Sequence, residues 1–280
     1  MVVEHAPAKL NLALHVRARR DDGYHDLETL FAFTDFGDTL AAAPSDRLSL
    51  AVDGEYADAA GPGDDNLVLR AARALAAAGG VSSGAALTLT KRIPVAAGLG
   101  GGSADAAAAL RLLNRVWGLD RSHDWLTALA ADLGADVPAC VVSQTCLGTG
   151  RGEVLVRVDA GVAGMPVLIV NPRVAVPTGP VFAGWDGLDR GPLDPRSRLA
   201  DLRNDLTGTA VAMVPEIAAL IDWLAAREGC MLARMSGSGG SVFGLFDTVQ
   251  RAATASRAAP ASWWSMCTTI RGADCDNRAS

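Results

Sequence analysis

Apolar positions along this chain follow two periods. Around Ala8-Lys9-Leu10-Asn11-Leu12, within Val2–Val16, they alternate from Leu10 through Leu14, which predicts a strand. Lys9 and Asn11 then share one face, and two polar groups on an apolar strand need partners, a ligand or an exposed edge. Asp21–His25 reads as a turn pivoting on Gly23, with Tyr24 and His25 at its exit, and Leu27–Asp46 reads as strand and loop. A helical run follows at Leu67–Ala78, with Asp65 or Asn66 as its N-cap. Ala85–Arg92 alternates as a strand, and the alanine-rich run with Leu110, Leu113, Val116 and Trp117 at helical spacing predicts a helix. Ser122 opens another helix that Gly134 ends, and Pro138 suits the first turn of a third, for which Asp136 is a natural cap.

Further on, Gly148–Glu153 is a turn before a strand at Val154–Val158, and Pro166–Val170 opens a second unit. Gly184–Arg203, rich in Gly, Pro, Asp and Arg, reads as a surface excursion. Val214–Arg227 is an amphipathic helix. Met231–Met235 and Val242–Phe246 are strands joined by a glycine-serine turn, Ser236–Ser241, which is either a hairpin turn or an anion nest. The tail after Gly272 is polar and reads as mobile.

The stretch Pro94–Leu110, PVAAGLGGGSADAAAAL, joins a strand to a helix through four glycines: Gly98, Gly100, Gly101 and Gly102. Glycine lets backbone approach a ligand without a Cβ in the way. With Ser103 as a plausible N-cap, the free N–H groups of the helix start form a phosphate-binding anion site. Two familiar phosphate loops do not fit. No lysine follows the glycines as a P-loop requires, and Ser103 stands where a dinucleotide fingerprint needs glycine.

Composition narrows the class. The chain has 280 residues and a net charge of −6, enough for one large or two modest domains and opposed to a nucleic-acid-binding role. Its longest uncharged stretch, Ala74–Thr90, contains paired glycines and serines and is no membrane span. Five cysteines without regular spacing, and no charged-then-apolar leader, fit a reduced, cytoplasmic protein without a metal cluster. Of 25 basic residues only Lys9 and Lys91 are lysine. Lysine is a compact point charge where arginine is a broad fork, so both positions are candidates for tight chemistry.

Taken together, Ala8–Leu12, Gly23-Tyr24-His25, Pro94–Asp105, Leu133–Pro138, Val176-Pro177-Thr178 with Phe182, Asn204-Asp205-Leu206 and Ser236–Phe243 resemble the GHMP kinases. The resemblance spans most of the chain in the family's order and is strongest to members whose acceptor carries a cytosine. It implies an α+β, two-domain fold. Residues 1–155 would form a ribosomal-S5-domain-2-like, ATP-binding N-terminal domain, and residues 156–280 a ferredoxin-like C-terminal domain. It implies ATP as phosphoryl donor, held by Pro94, Val95, Ala96, Ala97, Gly98, Leu99, Gly100, Gly101, Gly102, Ser103 and Ala104, with adenine near Asn66. Asp136 would be the base and Lys9 its cationic partner.

The same resemblance implies that Asn11 and Gly239 contact the acceptor, that Tyr24 and Phe182 sandwich its base, and that His25 reads the base edge. Mg²⁺ is expected with ATP, and Ser103 is the one ligand the motif offers. The partner is a small-molecule substrate, with neither nucleic acid nor membrane, in a monomer or homodimer. The rival readings are a kinase for homoserine, mevalonate or a sugar, and a non-catalytic ATP-binding regulator of the same fold.

Overall fold

The computed structural model describes residues 1–272; the tail beyond Gly272 lies outside the described residues. In chain order the elements are β1 (Val2–Arg19), β2 (His25–Ser45), β3 (Ser49–Asp53), α1 (Ala57–Ala60), α2 (Leu67–Gly79), β4 (Gly84–Thr90), α3 (Gly101–Val116), α4 (His123–Ala130), α5 (Val137–Val142), β5 (Cys146–Thr149) and β6 (Val154–Arg157). There follow β7 (Pro166–Asn171), α6 (Thr178–Ala183), a 3₁₀ turn at Leu199–Asp201, α7 (Thr207–Met213), α8 (Glu216–Ala225), β8 (Cys230–Met235), β9 (Val242–Phe246), α9 (Val249–Arg257) and β10 (Trp264–Thr269). The chain folds as two compact units. One comprises Met1–Lys9, Gly37–Val95 and Gly100–Ser143; the other comprises Leu10–Phe36, Ala96–Leu99 and the chain from Gln144 on.

In the first unit, β4 runs parallel to β3 (Leu50 opposite Leu87) and antiparallel to the end of β2 (Leu40 opposite Leu89). A parallel pair needs a crossover, and α2 supplies it. Asn66 caps α2, its side-chain oxygen accepting from the Val68 N–H at 2.9 Å. The alternation of Leu87 and Leu89 turns both inward, and each is buried. α3 packs against α2 and α5. The spacing of Leu110 and Leu113 predicts this helix, and every residue from Ala104 to Asn114 is buried. Alanine makes this possible, because small side chains let neighbouring helices approach closely on more than one side. α4 starts where Ser122 predicts, its hydroxyl accepting from the Trp125 N–H at 3.2 Å, and ends at Ala130, before Gly134.

The second unit contains a four-stranded antiparallel sheet in the order β10-β7-β9-β8, with α8 and α9 against it. Every residue of the central strands β7 and β9 is buried, as runs of continuous apolar residues require. Leu168, Val170, Val242 and Phe246 share a core with Ile217, Leu220 and Leu224 of α8. Gly184–Arg203 departs from a plain surface excursion: Trp185 and Leu193 are buried within this unit. A large apolar ring and a leucine in an otherwise polar stretch anchor it.

Arg111 ties β1 to α3 and the end of α5 inside the first unit. It donates to Glu4 Oε1 at 2.7 Å, the Cys140 carbonyl at 2.6 Å and the His5 carbonyl at 2.9 Å. Burial pushes the Glu4 pKa up, but the Arg111 and Arg115 guanidiniums outweigh it and hold it below the usual carboxylate value. Removing one partner of such a network strands the others, at about 3–5 kcal/mol. Arg111→Leu is therefore expected to lower the midpoint of denaturant unfolding by that amount, and a loss under about 1 kcal/mol would contradict the bracing role. Glu4's share of stability is present above its unfolded pKa and is lost as pH falls through its depressed folded value.

Candidate functional site

The start of α3 is the centre of the site. Gly100 is its N-cap, in the left-handed region at φ 64°, and helical geometry begins at Gly101. Ser103 is consequently a first-turn residue and not the cap, correcting the expectation from its side chain: a left-handed glycine turns the chain without a capping hydroxyl. The backbone N–H groups of a helix's first turn have no intrahelical acceptor, so those of Gly101, Gly102 and Ser103 face outward at the positive end of the helix dipole.

These glycines lie directly on the two lysines. A Cβ on Gly100 would fall 2.6 Å from Lys9 Cγ, and one on Gly101 would fall 2.9 Å from Lys91 Nζ. The Gly102 position is open, with only Leu67 Cδ1 at 3.4 Å. Close approach therefore dictates glycine at the first two positions, whereas at Gly102 packing leaves room for a side chain.

Lys9 is 4% exposed, and its Nζ lies 3.2 Å from Asp136 Oδ2. Asp136 occupies the N-cap position of α5, but its side chain makes no capping hydrogen bond. The geometry thus favours a carboxylate aimed at an ammonium over a structural cap. Asn66 is different. Its oxygen caps α2, and its amide donates to the Gly61 carbonyl at 2.7 Å, so the capping reading has direct support.

A second buried cluster surrounds Lys91. Its ammonium donates to Asp38 Oδ2 and, at 2.7 Å, to Asp105 Oδ2. Asp38 Oδ1 accepts from the Ile93 N–H at 2.8 Å and the Arg92 N–H at 2.5 Å. Burial works against the Lys91 charge, but the Asp105 and Asp38 carboxylates more than offset it and raise its pKa. Burial lifts the Asp105 pKa well above the carboxylate range despite Lys91, and Asp38 lifts it further. Asp38 and Asp105 escaped the sequence reading. A carboxylate inside an alanine run that packs as core was the available signal, since a buried charge must be paired.

In the second unit, Asn11 donates from Nδ2 to Thr29 Oγ1 at 2.8 Å, and its N–H donates to Ser236 Oγ at 3.2 Å. Ser236 Oγ in turn donates to the Gly98 carbonyl at 3.0 Å. A Cβ on Gly98 would meet the Gly239 carbonyl oxygen at 2.3 Å, so the two glycine-rich turns are packed backbone on backbone. Neither turn alone shows this in the sequence. His25 is 8% exposed, with Phe182 tilted against it at 5.4 Å and Trp185 edge-on at 5.8 Å. Burial, then the Arg19 charge, lowers its pKa, which keeps the imidazole neutral at pH 7. Its buried Nε2 has no hydrogen-bond partner among the described residues. Tyr24 stands apart: it is 53% exposed, with the Arg151 guanidinium 5.2 Å from its ring.

Among the described residues there is no group of three or more His, Cys, Asp or Glu able to hold a metal. No helix among them is long and apolar enough to cross a membrane.

Two family models match the chain, the GHMP kinases N terminal domain over residues 66–144 and the GHMP kinases C terminal over residues 187–264. The chain is 52% identical over 278 residues to the 4-diphosphocytidyl-2-C-methyl-D-erythritol kinase of Rhizorhabdus wittichii, covering 96% of this chain and 94% of that one. It is 50% identical over 271 residues to the enzyme of the same name from Novosphingobium aromaticivorans, covering 96% and 92%. Among solved structures, it is similar to a crystal structure of 4-(cytidine 5'-diphospho)-2C-methyl-D-erythritol kinase, with TM-score 0.83, 35% identity, and 97% of this chain and 100% of that chain covered.

The open position at Gly102 separates fold from function at this loop. Gly102→Val is expected to leave the melting temperature within a few degrees while raising the KM for ATP at least about tenfold. A KM within about twofold of the parent's would show that phosphates do not approach this turn.

Proposed function

This chain belongs to the GHMP kinase family, and from that premise we propose that it transfers the γ-phosphoryl group of ATP to the 2-hydroxyl of 4-diphosphocytidyl-2-C-methyl-D-erythritol, in non-mevalonate isoprenoid synthesis. The fold is the family's two-domain α+β fold, with a ribosomal-S5-domain-2-like N-terminal domain and a ferredoxin-like C-terminal domain. The observation that carries the chemistry is the uncapped Asp136 carboxylate 3.2 Å from the buried Lys9 ammonium.

Phosphoryl transfer needs positioning and charge stabilisation more than covalent chemistry. The loop from Pro94 to Ala104 holds the triphosphate through the outward N–H groups of the first turn of α3 and its dipole. Asp136 takes the proton from the attacking hydroxyl as the new P–O bond forms. Lys9 holds the Asp136 carboxylate in place and offsets negative charge on the moving phosphoryl group. Mg²⁺ supplies charge neutralisation when it arrives with the nucleotide. The donor set fits that role: Ser103 in the first turn of α3 offers one hydroxyl, and Mg²⁺ ordinarily keeps phosphate oxygens and waters as its other ligands.

His25, Phe182, Tyr24, Asn11 and Gly239 bind the acceptor. A neutral imidazole has one donor and one acceptor nitrogen, as cytosine's donor and acceptor edge requires, and the unpartnered Nε2 of His25 is free for that contact. Phe182 supplies one flat face and the exposed Tyr24 the other. Adenine contacts Asn66 without displacing its cap. The protein acts in the cytoplasm on a small molecule, as a monomer or homodimer, with no nucleic-acid partner. Homoserine, mevalonate and sugar acceptors carry no base to occupy the His25–Phe182 pair, and a non-catalytic regulator has no use for an ion pair at the loop.

ADP release with a panel of acceptors tests the assignment. Turnover is expected with the cytidylyl substrate and not with homoserine or mevalonate, and efficient turnover of an acceptor without cytosine would overturn it. Asp136→Asn is expected to lower kcat about 10²–10⁴-fold, whereas near-normal turnover would return Asp136 to a capping role. Stacking on an aromatic ring is worth roughly 1–3 kcal/mol per base, so Tyr24→Ala and Phe182→Ala should each raise the KM of the cytidylyl substrate about ten- to a hundredfold. The KM for ATP should hardly change. Because Tyr24 is exposed, its loss should leave melting unchanged, and equal effects on both substrates would contradict the assignment.

A further inference from the structure

Tyr24 serves as one wall for the acceptor's base, yet it stands on no core: the residue is 53% exposed. Its backbone is fixed. The Tyr24 N–H donates to Asp22 Oδ1 at 3.0 Å, and its carbonyl accepts from the Arg20 N–H at 2.9 Å. The side chain is another matter. A half-exposed ring is free to change rotamer, and a wall that must first be ordered gives up part of its stacking energy when the base arrives. One contact restrains it: the Arg151 guanidinium lies over the ring, 5.2 Å from its centre. At that separation a cation is drawn to an aromatic face.

Arg151 is itself held. It sits in the turn that joins β5 to β6, between Gly150 at φ 73° and Gly152 at φ 115°, where the chain reverses as only glycine readily allows. The Gly150 carbonyl accepts from the Leu27 N–H at 2.7 Å, which docks this turn beside the exit of the Tyr24 turn. Glu153 then fixes the arginine. Its Oε2 accepts from the Arg151 N–H at 2.6 Å, and its Oε1 from Arg151 Nε at 3.3 Å. Burial pushes the Glu153 pKa up, but hydrogen bonds from its own N–H and from Arg151, with the guanidinium charge, hold it below the usual carboxylate value. The carboxylate therefore stays ionised at pH 7, and the ion pair persists.

We propose that Arg151 is a positioning residue of the acceptor-base site: it braces the Tyr24 ring on one face, so that the other face meets the base already oriented. The inference rests on the reading of Tyr24 as one wall of that site. A ring has two faces, and a guanidinium over one of them leaves one for a flat ligand. Arginine suits the place, since its planar fork stacks on an aromatic face while its edge stays paired with a carboxylate. Glu153, Arg151, Tyr24 and the base then form a series in which each member fixes the next. The gain is pre-organisation: the ring's rotamer freedom is given up on folding and not on binding. Arg151 acts on the base only through Tyr24.

The test measures kcat and both KM values for the parent, Arg151→Ala, Arg151→Lys, Tyr24→Ala and the double variant. Arg151→Ala is expected to raise the KM of the cytidylyl acceptor about three- to tenfold, the effect of losing a cation from a partly desolvated ring. Its kcat and its KM for ATP should stay within about twofold of the parent's. Arg151→Lys keeps a cation without the flat fork and should recover part of the loss. In the Tyr24→Ala background, removing Arg151 should add less than about twofold, because a brace does nothing once the ring is gone. Free cytidine offers the base without the diphosphate. Its Ki as a competitor of the acceptor should therefore rise in Arg151→Ala by the same factor as the acceptor KM.

An unchanged acceptor KM in Arg151→Ala, where Tyr24→Ala raises it, would overturn the proposal. So would an equal rise with and without Tyr24 while the Ki of cytidine stays constant, the signature of an arginine that attracts the acceptor's diphosphate directly. A lowered acceptor KM would overturn it by showing that the guanidinium occupies the face the base needs. A lower melting temperature with parallel rises in both KM values would overturn it by marking a purely structural role. Failure of the reading beneath it looks different: Tyr24→Ala would itself leave the acceptor KM unchanged, and the wall and its brace would fall together.

Discussion

The constraint on which the site depends is the contact of two consecutive glycines with the chain's only two lysines. Gly100 lies on the Lys9 stem and Gly101 on the Lys91 ammonium, each too near for any Cβ. The backbone at the start of α3 is thereby pinned from behind by two buried cations while its N–H groups face outward. Arginine, longer and broader, would not fit beneath either glycine. This explains why a chain that otherwise uses arginine for positive charge keeps lysine at these positions.

The rest of the first unit serves that arrangement. The alanines of α3 let it sit deep between α2 and α5. Arg111, farther along the same helix, locks β1, which carries Lys9, to the end of α5, the helix that begins just after Asp136. In the second unit the same logic holds at a smaller scale. Ser236 bridges the Asn11 backbone to the Gly98 carbonyl, and Trp185 stands edge-on to His25, which is tilted against Phe182.

Much of this was legible in the sequence where the signal is local. Ser122 and Asn66 cap the helices their positions suggest, Gly23 turns at φ 84°, and the strands of the second sheet follow their apolar runs. Ser103 misled because a side-chain cap and a left-handed glycine are alternative solutions to the same orphan N–H groups, and the residues alone do not rank them. The Asp38–Lys91–Asp105 cluster was hidden because its members lie 53 and 14 residues apart. Trp185 looked like part of a surface stretch because its neighbours are polar, and only tertiary packing buries it.

The central claim is that a lysine ammonium of this size and place, paired with Asp136, drives the transfer. Lys9→Arg keeps the charge and changes only its shape and reach. Its kcat, taken at saturating ATP and acceptor and alongside its melting temperature, addresses the claim most directly. The account requires a fall of about a hundredfold or more in a protein that still melts cooperatively. A folded Lys9→Arg enzyme with kcat within about threefold of the parent's would contradict it.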